Sequence, residues 1–237
     1  MKIFALVLTY NSAKFIKNVL KSIPKNTFDK IICSDDGSND QTLNIIENEN
    51  ITLVRNNHGG YGSNLFSGLQ KCFEEGATHV VEVHGDGQYD LKFTKNMFQK
   101  FIEGNDLVLG NRFYQSGIAL KNGMPKYIYY GNKFLTLIGS IGLNIKSNDL
   151  FPGFRGYSKR FFETIKSTKF SPGYQFSLEI IAKSHFENLK ISSVPCENNY
   201  DGVTAPLSYT IVCLLHLFWV CLLYRIGKMG IKFYFFK

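Results

Sequence analysis

Five short β-prone runs organise the first half of this 237-residue chain, at residues 2–9, 30–34, 51–55, 79–84 and 106–110. Their centres are nearly continuous apolar stretches rather than alternating ones, so a sheet built from them must be covered on both faces. Amphipathic stretches at residues 12–22, 40–47, 61–75 and 91–103 lie between the runs and are expected to form the covering helices. Strand–helix–strand units in this order predict an α/β fold with a largely parallel sheet. Asn11 or Ser12, and Ser38 or Asn39, are the expected caps of the first two helices.

In such sheets ligands gather beyond the carboxyl ends of the strands. An enzyme with this layout should therefore concentrate polar residues there, and this chain does. The five runs end in Thr9-Tyr10-Asn11, Asp35-Asp36-Gly37-Ser38, Asn56-Asn57-His58-Gly59-Gly60, His84-Gly85-Asp86-Gly87-Gln88 and Gly110-Asn111-Arg112. The second half is less regular. Helical stretches at residues 127–141, 159–165 and 174–184 surround a Gly- and Pro-containing loop at 149–156. A last strand at 190–195 precedes an Asn-rich rim loop at 197–202.

The formal net charge of +8 favours anionic partners such as phosphorylated substrates and acidic lipid. Because the basic residues are scattered singly over most of the chain, no nucleic-acid partner is expected. The five cysteines show no CxxC spacing, which argues against a disulfide framework or a zinc site and suits a reducing compartment. The first run lacks a small-residue cleavage site, so the catalytic body is expected in the cytoplasm.

Two acidic clusters carry the chemistry, Asp35-Asp36 and Asp86 with Asp90. Adjacent carboxylates at a strand end need a cation or hydrogen-bond donors between them. A divalent metal with a diphosphate, or the edge of a nucleobase, would supply that; a turn with an N-cap would also use Asp35, Gly37 and Ser38.

The run Asp35-Asp36-Gly37-Ser38-Asn39-Asp40-Gln41-Thr42 resembles the DDGSxDxT motif of family 2 glycosyltransferases of the GT-A fold. Further segments follow in that family's order. Residues 57–68 resemble its Gly-rich N-x-G-x-G-x-x-N segment. His84-Gly85-Asp86-Gly87-Gln88 stands where the metal-binding DxDxQ is found, and Gly110-Asn111-Arg112 is similar to the GxR that follows. Asp149-Leu150-Phe151-Pro152-Gly153-Phe154-Arg155 is similar to D-x-x-x-GFR. Gly173-Tyr174-Gln175-Phe176-Ser177-Leu178-Glu179 resembles the GY-x-F-x-x-E helix start of dolichyl-phosphate-mannose-synthase-like members and their bacterial polyprenyl-phosphate counterparts.

The resemblance implies a nucleotide-sugar donor and a divalent metal, Mn²⁺ or Mg²⁺. By it, Thr9, Asn11, Asp36 and, more loosely, Asp35 hold the base and ribose. Gly60, Gly62 and Asn64 belong to the donor site, and Asp86 and Gln88 sit at the metal and diphosphate. Arg112 and Arg155 face phosphate groups, as planar forks of donors suit phosphate oxygens. The metal motif departs from the family at His84, where Asp is common: His84 could ligate Mn²⁺, bind diphosphate as a cation, or only pack. The family implies single displacement with inversion. A hydroxyl acceptor would need a general base, for which Asp149 is the first candidate and Glu179 the second; a lipid phosphate would need none.

Residues 203–224 contain no charged side chain, and residues 207–224 are apolar nearly all round. As a helix, that second stretch measures roughly 27 Å at about 1.5 Å per residue, close to the hydrocarbon thickness of a bilayer. Lipid, or a second copy of the chain in a homo-oligomer, must cover it. Arg225, Lys228, Lys232 and Lys237 follow, with Phe233-Tyr234-Phe235-Phe236 among them. A single crossing would put these charges opposite a cytoplasmic catalytic body, against the positive-inside tendency. An in-plane or re-entrant anchor on the cytoplasmic face is therefore expected before a single span. The expected division is a catalytic domain at 1–202 and a membrane-associating helix with a basic aromatic tail at 203–237. A lipid-linked or glycan acceptor suits it. Two other readings remain at this stage: a catalytically degenerate nucleotide-sugar-binding scaffold, suggested by His84, and a sugar nucleotidyltransferase, disfavoured because the first strand lacks a following Gly-rich basic loop.

Overall fold

The computed structural model of the chain describes all residues except 25, 201–206 and 232–237. The expected domain boundary and the aromatic tail lie outside the described residues, as does the end of the rim loop. The strands are β1 (Ile3–Thr9), β2 (Lys30–Asp35), β3 (Thr52–Arg55), β4 (His79–His84), β5 (Leu107–Asn111), β6 (Arg155–Ser158) and β7 (Ile191–Pro195). The helices are α1 (Ile16–Ser22), α2 (Thr42–Glu47), α3 (Tyr61–Glu74), α4 (Thr94–Ile102), α5 (Ile118–Lys121), α6 (Lys126–Leu143), α7 (Lys159–Ile165), α8 (Phe176–Phe186) and α9 (Leu207–Lys228).

The strands form one sheet in the order β3-β2-β1-β4-β6-β5-β7. All neighbours pair in parallel except β6, which runs antiparallel between β4 and β5. Both faces are covered, as the continuous apolar runs require. On one face Ile3, Ala5, Val7, Val81 and Val83 pack against α1, α2 and α4. On the other, Phe4, Leu6, Leu8 and Val80 meet α3, α7, α8 and the inner faces of α6 and α9.

The strands fall within a residue or two of the sequence expectation, but β6 was expected as loop. Its four residues, Arg-Gly-Tyr-Ser, carry no β-branched side chain, and it becomes a strand because β4 and β5 leave a gap that only a short, fully buried strand fills. The expected caps are also corrected. The chain turns at Ser12, whose carbonyl accepts from the amides of Phe15 and Ile16, before α1 begins at Ile16. Asp40, rather than Ser38 or Asn39, meets the start of α2, its Oδ1 accepting from the Thr42 amide at 2.9 Å. None of the five cysteines is in a disulfide; burial pushes the Cys33 thiol up to about 12 and the Cys221 thiol up to about 11.

Candidate active site

Parallel pairing brings the strand tips to one edge. Thr9 stands beside Asp35, Asp35 beside Arg55, Leu8 beside His84, and Asn111 beside Pro195. Asp36, Asp86 and Arg112 each follow one of these tips by one or two residues, so the sheet delivers them to the same edge. Gln88 and Arg112 further share the wall of one cavity.

The two carboxylates of the first acidic cluster are occupied by the chain itself. Asp35 is 1% exposed; its Oδ1 accepts from the amides of Gly37 (3.0 Å) and Ser38 (2.7 Å), and its Oδ2 from the hydroxyls of Thr9 (2.7 Å) and Ser38 (2.6 Å). Asp36 holds the next loop, accepting from the amides of Gly59 (2.8 Å) and Gly60 (3.0 Å). Asn64 is buried and ties two strands together, donating to Ser34 O at 3.1 Å and Thr9 O at 3.3 Å. Asn11 adopts a positive φ of 48° and accepts from the Asn39 amide. Thus Asp35, Asp36 and Asn64 build the rim of the candidate donor site from within.

Gly60 and Gly62 likewise have visible structural uses. The Gly60 amide goes to Asp36 and the Gly62 amide to Pro172 O at 2.7 Å. Gly60 has φ +90°, a conformation that side chains resist. A Cβ on Gly62 would stand 2.6 Å from Phe176 Cβ, so this glycine lets α3 meet the start of α8.

Asp86 is different. It is exposed on the turn after β4, with its Oδ1 accepting from the Gln88 amide at 3.0 Å. Among the described residues no three His, Cys, Asp or Glu side chains form a metal cage. An exposed carboxylate is the donor chemistry that Mg²⁺ or Mn²⁺ takes from a protein when water and substrate phosphates complete its shell, so Asp86 suits the expected metal.

His84, expected beside it, is held by an acid of its own strand. Its Nε2 lies 2.9 Å from Oε1 of Glu82, a fully buried carboxylate that also accepts from the hydroxyls of Tyr61 (2.7 Å) and Tyr157 (2.6 Å). Burial opposes the charge on both partners. The hydrogen bond and mutual attraction outweigh it, raising the His84 pKa and holding the Glu82 carboxyl below its usual range. Arg155 is 0% exposed, donating to Pro152 O and Ser177 O with Glu82 as a nearby countercharge, while its Nη2 is buried without a partner among the described residues.

The two candidate bases are engaged as well. Asp149 is buried and accepts from Arg112 Nε (2.6 Å), Nη2 (2.8 Å) and amide (3.1 Å), and from the Phe151 amide (3.1 Å). Glu179, also buried, accepts from the amide (2.7 Å) and hydroxyl (2.6 Å) of Ser171, while His216 Nε2 lies 3.3 Å away. Four hydrogen bonds leave Asp149 no lone pair aimed at an acceptor.

Between α6, α8 and α9 lies a cavity of about 280 Å³. Arg112 and His216 line it together with Ile128, Leu135, Phe151 and Leu178, and no carboxylate among the described residues does. Two further lining groups, the Tyr200 hydroxyl and Asn198 Oδ1, are buried without a hydrogen-bond partner among the described residues, a costly state that a polar ligand would relieve. Sequence reasoning missed Glu82, Tyr200 and His216. Glu82 was readable as an acid inside an apolar strand; His216 was hidden in a run that looked like pure anchor.

The sequence pattern of the family described as glycosyl transferase family 2 matches residues 5–166. The chain is 25% identical over 246 residues to a UDP-N-acetylglucosamine–dolichyl-phosphate N-acetylglucosaminyltransferase of Methanococcus voltae, covering 96% of this chain and 97% of that one. It is 24% identical to glycosyltransferase AglJ of Haloferax volcanii, covering 80% and 60%. Among solved structures it is similar to glucosyl-3-phosphoglycerate synthase of Mycobacterium tuberculosis, crystallised with Mn²⁺, UDP and glucosyl-3-phosphoglycerate: TM-score 0.66, 18% identity, 94% of this chain and 79% of that chain. At that identity the likeness shows the fold alone, the GT-A sheet with its flanking helices.

Proposed function

The chain belongs to glycosyl transferase family 2, and on that premise we propose that it transfers a sugar from a UDP- or GDP-sugar, with inversion, to a polyprenyl-type phosphate at the cytoplasmic face of a membrane. The observation that carries this reading is the cavity between α6, α8 and α9, which among the described residues combines Arg112 and unpaired polar atoms with apolar walls and has no carboxylate in its lining. Such a lining suits an anionic head attached to a hydrocarbon tail.

The state of Asp149 and Glu179 supports the same acceptor. A hydroxyl acceptor must lose a proton, and both candidate bases are buried and hydrogen-bonded. A phosphate oxygen arrives already anionic. It attacks the anomeric carbon, the bond to the donor's diphosphate breaks, and the electron pair leaves with the diphosphate. No proton has to move. In this account Asp149 is a positioning residue that fixes the Arg112 guanidinium at the cavity wall. The name of the Methanococcus voltae relative, with dolichyl phosphate as its acceptor, agrees with this reading.

On the donor side, Thr9, Asn11 and the loops held by Asp35 and Asp36 shape the nucleotide site, with Gln88 beside the diphosphate. Asp86 would hold a divalent ion, which when bound offsets charge on the leaving diphosphate. The test is transfer by the whole chain from a panel of UDP- and GDP-sugars to polyprenyl phosphate in detergent, with Mn²⁺, Mg²⁺ or chelator. Metal-dependent product is expected with at least one donor; no turnover with any donor would favour a nucleotide-sugar-binding scaffold.

A further inference from the structure

Helices α6 and α9 lie side by side and run in the same direction, with Leu217 against Gly139 and Cys221 against Gly142. Each sends one face into the core, through Leu135 and Leu143 on α6 and Leu217 and Val220 on α9. Each also leaves an apolar stripe bare. On α6 it is Tyr130, Phe134, Leu137 and Ile141, between 58% and 65% exposed; on α9 it is Leu215, Phe218, Trp219 and Leu222, between 51% and 65% exposed. Both stripes point away from the core, so the neighbouring helices present one continuous apolar face. Neither helix contains an acidic residue, whereas Lys126, Lys133, Arg225 and Lys228 are basic.

The other side of α9 is pinned to the catalytic body between His216 and Lys228. His216 approaches Glu179, Tyr224 bonds His185 Nδ1 at 2.7 Å, and Lys228 donates to Phe186 O at 3.3 Å. Arg225 donates to the carbonyls of Ile141 and Gly142 at the end of α6, where a cation also meets the negative pole of that helix. These ties follow α8 as well as α6. A bilayer crossed along α9 would draw Glu179 and Lys183 of α8, and Glu187 just after it, into hydrocarbon, where charged groups are strongly disfavoured.

We infer that α6 and α9 together form a docking face that lies flat on an anionic bilayer, with α9 in the plane of the membrane rather than across it. The absence of acids from both helices, and the chain's net charge of +8, complement acidic headgroups. The bare stripes would sink about 5–10 Å into the headgroup–acyl boundary, as in-plane helices do. This inference needs neither the proposed donor nor the proposed acceptor.

Trp219 is the single tryptophan of the chain and sits near the middle of α9 on the bare stripe, so its fluorescence reads the geometry directly. The whole chain is mixed with phosphatidylcholine vesicles with and without phosphatidylglycerol, free of any acceptor lipid. The expected result is a blue shift of Trp219 emission that is strongest with the anionic vesicles, and quenching that is greatest when bromine is placed near the headgroup end of the acyl chain. Leu137→Ser with Ile141→Ser, both exposed on α6, is expected to weaken partitioning at least tenfold with the circular dichroism unchanged. Greatest quenching by bromine at the chain terminus would mean a span and overturn the inference. So would wild-type partitioning of the α6 variant. An emission already blue-shifted without lipid and dependent on protein concentration would assign the face to a second copy of the chain instead.

Discussion

Arg112 and Asp149 form a buried two-point ion pair, Nε to Oδ2 at 2.6 Å and Nη2 to Oδ1 at 2.8 Å. The Arg112 amide adds a third contact to the same carboxylate at 3.1 Å. The pair joins the tip of β5 to the loop before β6, and so fixes one wall of the cavity. Asp149→Asn keeps the shape but strands the guanidinium without its countercharge. Breaking a buried pair in this way costs about 3–5 kcal/mol. A urea titration should show that loss, and a variant as stable as wild type would mean that the pair is not formed in solution.

Asp86 makes the opposite prediction. It is exposed and its side chain supports no core contact, so Asp86→Ala should leave stability within about 0.5 kcal/mol of wild type. Sugar transfer should nevertheless fall to background, along with metal-dependent donor binding. Thermal unfolding and a transfer assay on the same preparation separate the two effects. Transfer at the wild-type rate would remove Asp86 from the site.

Gly62 tests the packing role seen for the Gly-rich segment. In Gly62→Ala the new Cβ would meet Phe176 Cβ at 2.6 Å and Ser171 O at 2.7 Å. Overpacking of this kind typically costs about 1–3 kcal/mol. The urea midpoint should drop accordingly, and an unchanged midpoint would show that α3 and α8 are not packed so closely.

The parallel sheet was legible because each apolar run is both long enough for a strand and closed by polar residues; β1, β2 and β4 end where that change occurs. The identity of the site edge followed from the same pattern. What the sequence did not reveal was which polar side chains are free. Asp35 and Asp36 look alike to Asp86 in sequence, yet two are consumed by loop amides and one is exposed. Strand periodicity puts His84 on the same face as Glu82, two positions earlier, but residue order did not reveal that the carboxylate would be fully buried there. His216 was obscured by its surroundings: nothing in an apolar run says which turn of a helix will face a carboxylate such as Glu179.

Glu179 also predicts a pH dependence. Burial opposes its ionisation, but His216 and the hydroxyl and amide of Ser171 outweigh burial and hold the carboxyl below its ordinary value of 4.5. A folded-state pKa below the unfolded one contributes stability above about pH 4.5, lost as the pH falls through the folded value. Urea midpoints measured between about pH 6 and about pH 3 should therefore decline less steeply in Glu179→Gln than in wild type. Parallel declines would show that this carboxylate is not stabilised in the native state.

That the acceptor brings its own negative charge, with neither Asp149 nor Glu179 free to act as a base, is tested by offering matched acceptors. Polyprenyl phosphate and the corresponding polyprenol, equal in chain length and detergent, are compared as acceptors with an active nucleotide-sugar. The account predicts glycosylated product from the phosphate and background from the alcohol. Comparable transfer to the alcohol would contradict it, because a proton would then have to leave through a base that Asp149 and Glu179, as the structure holds them, do not provide.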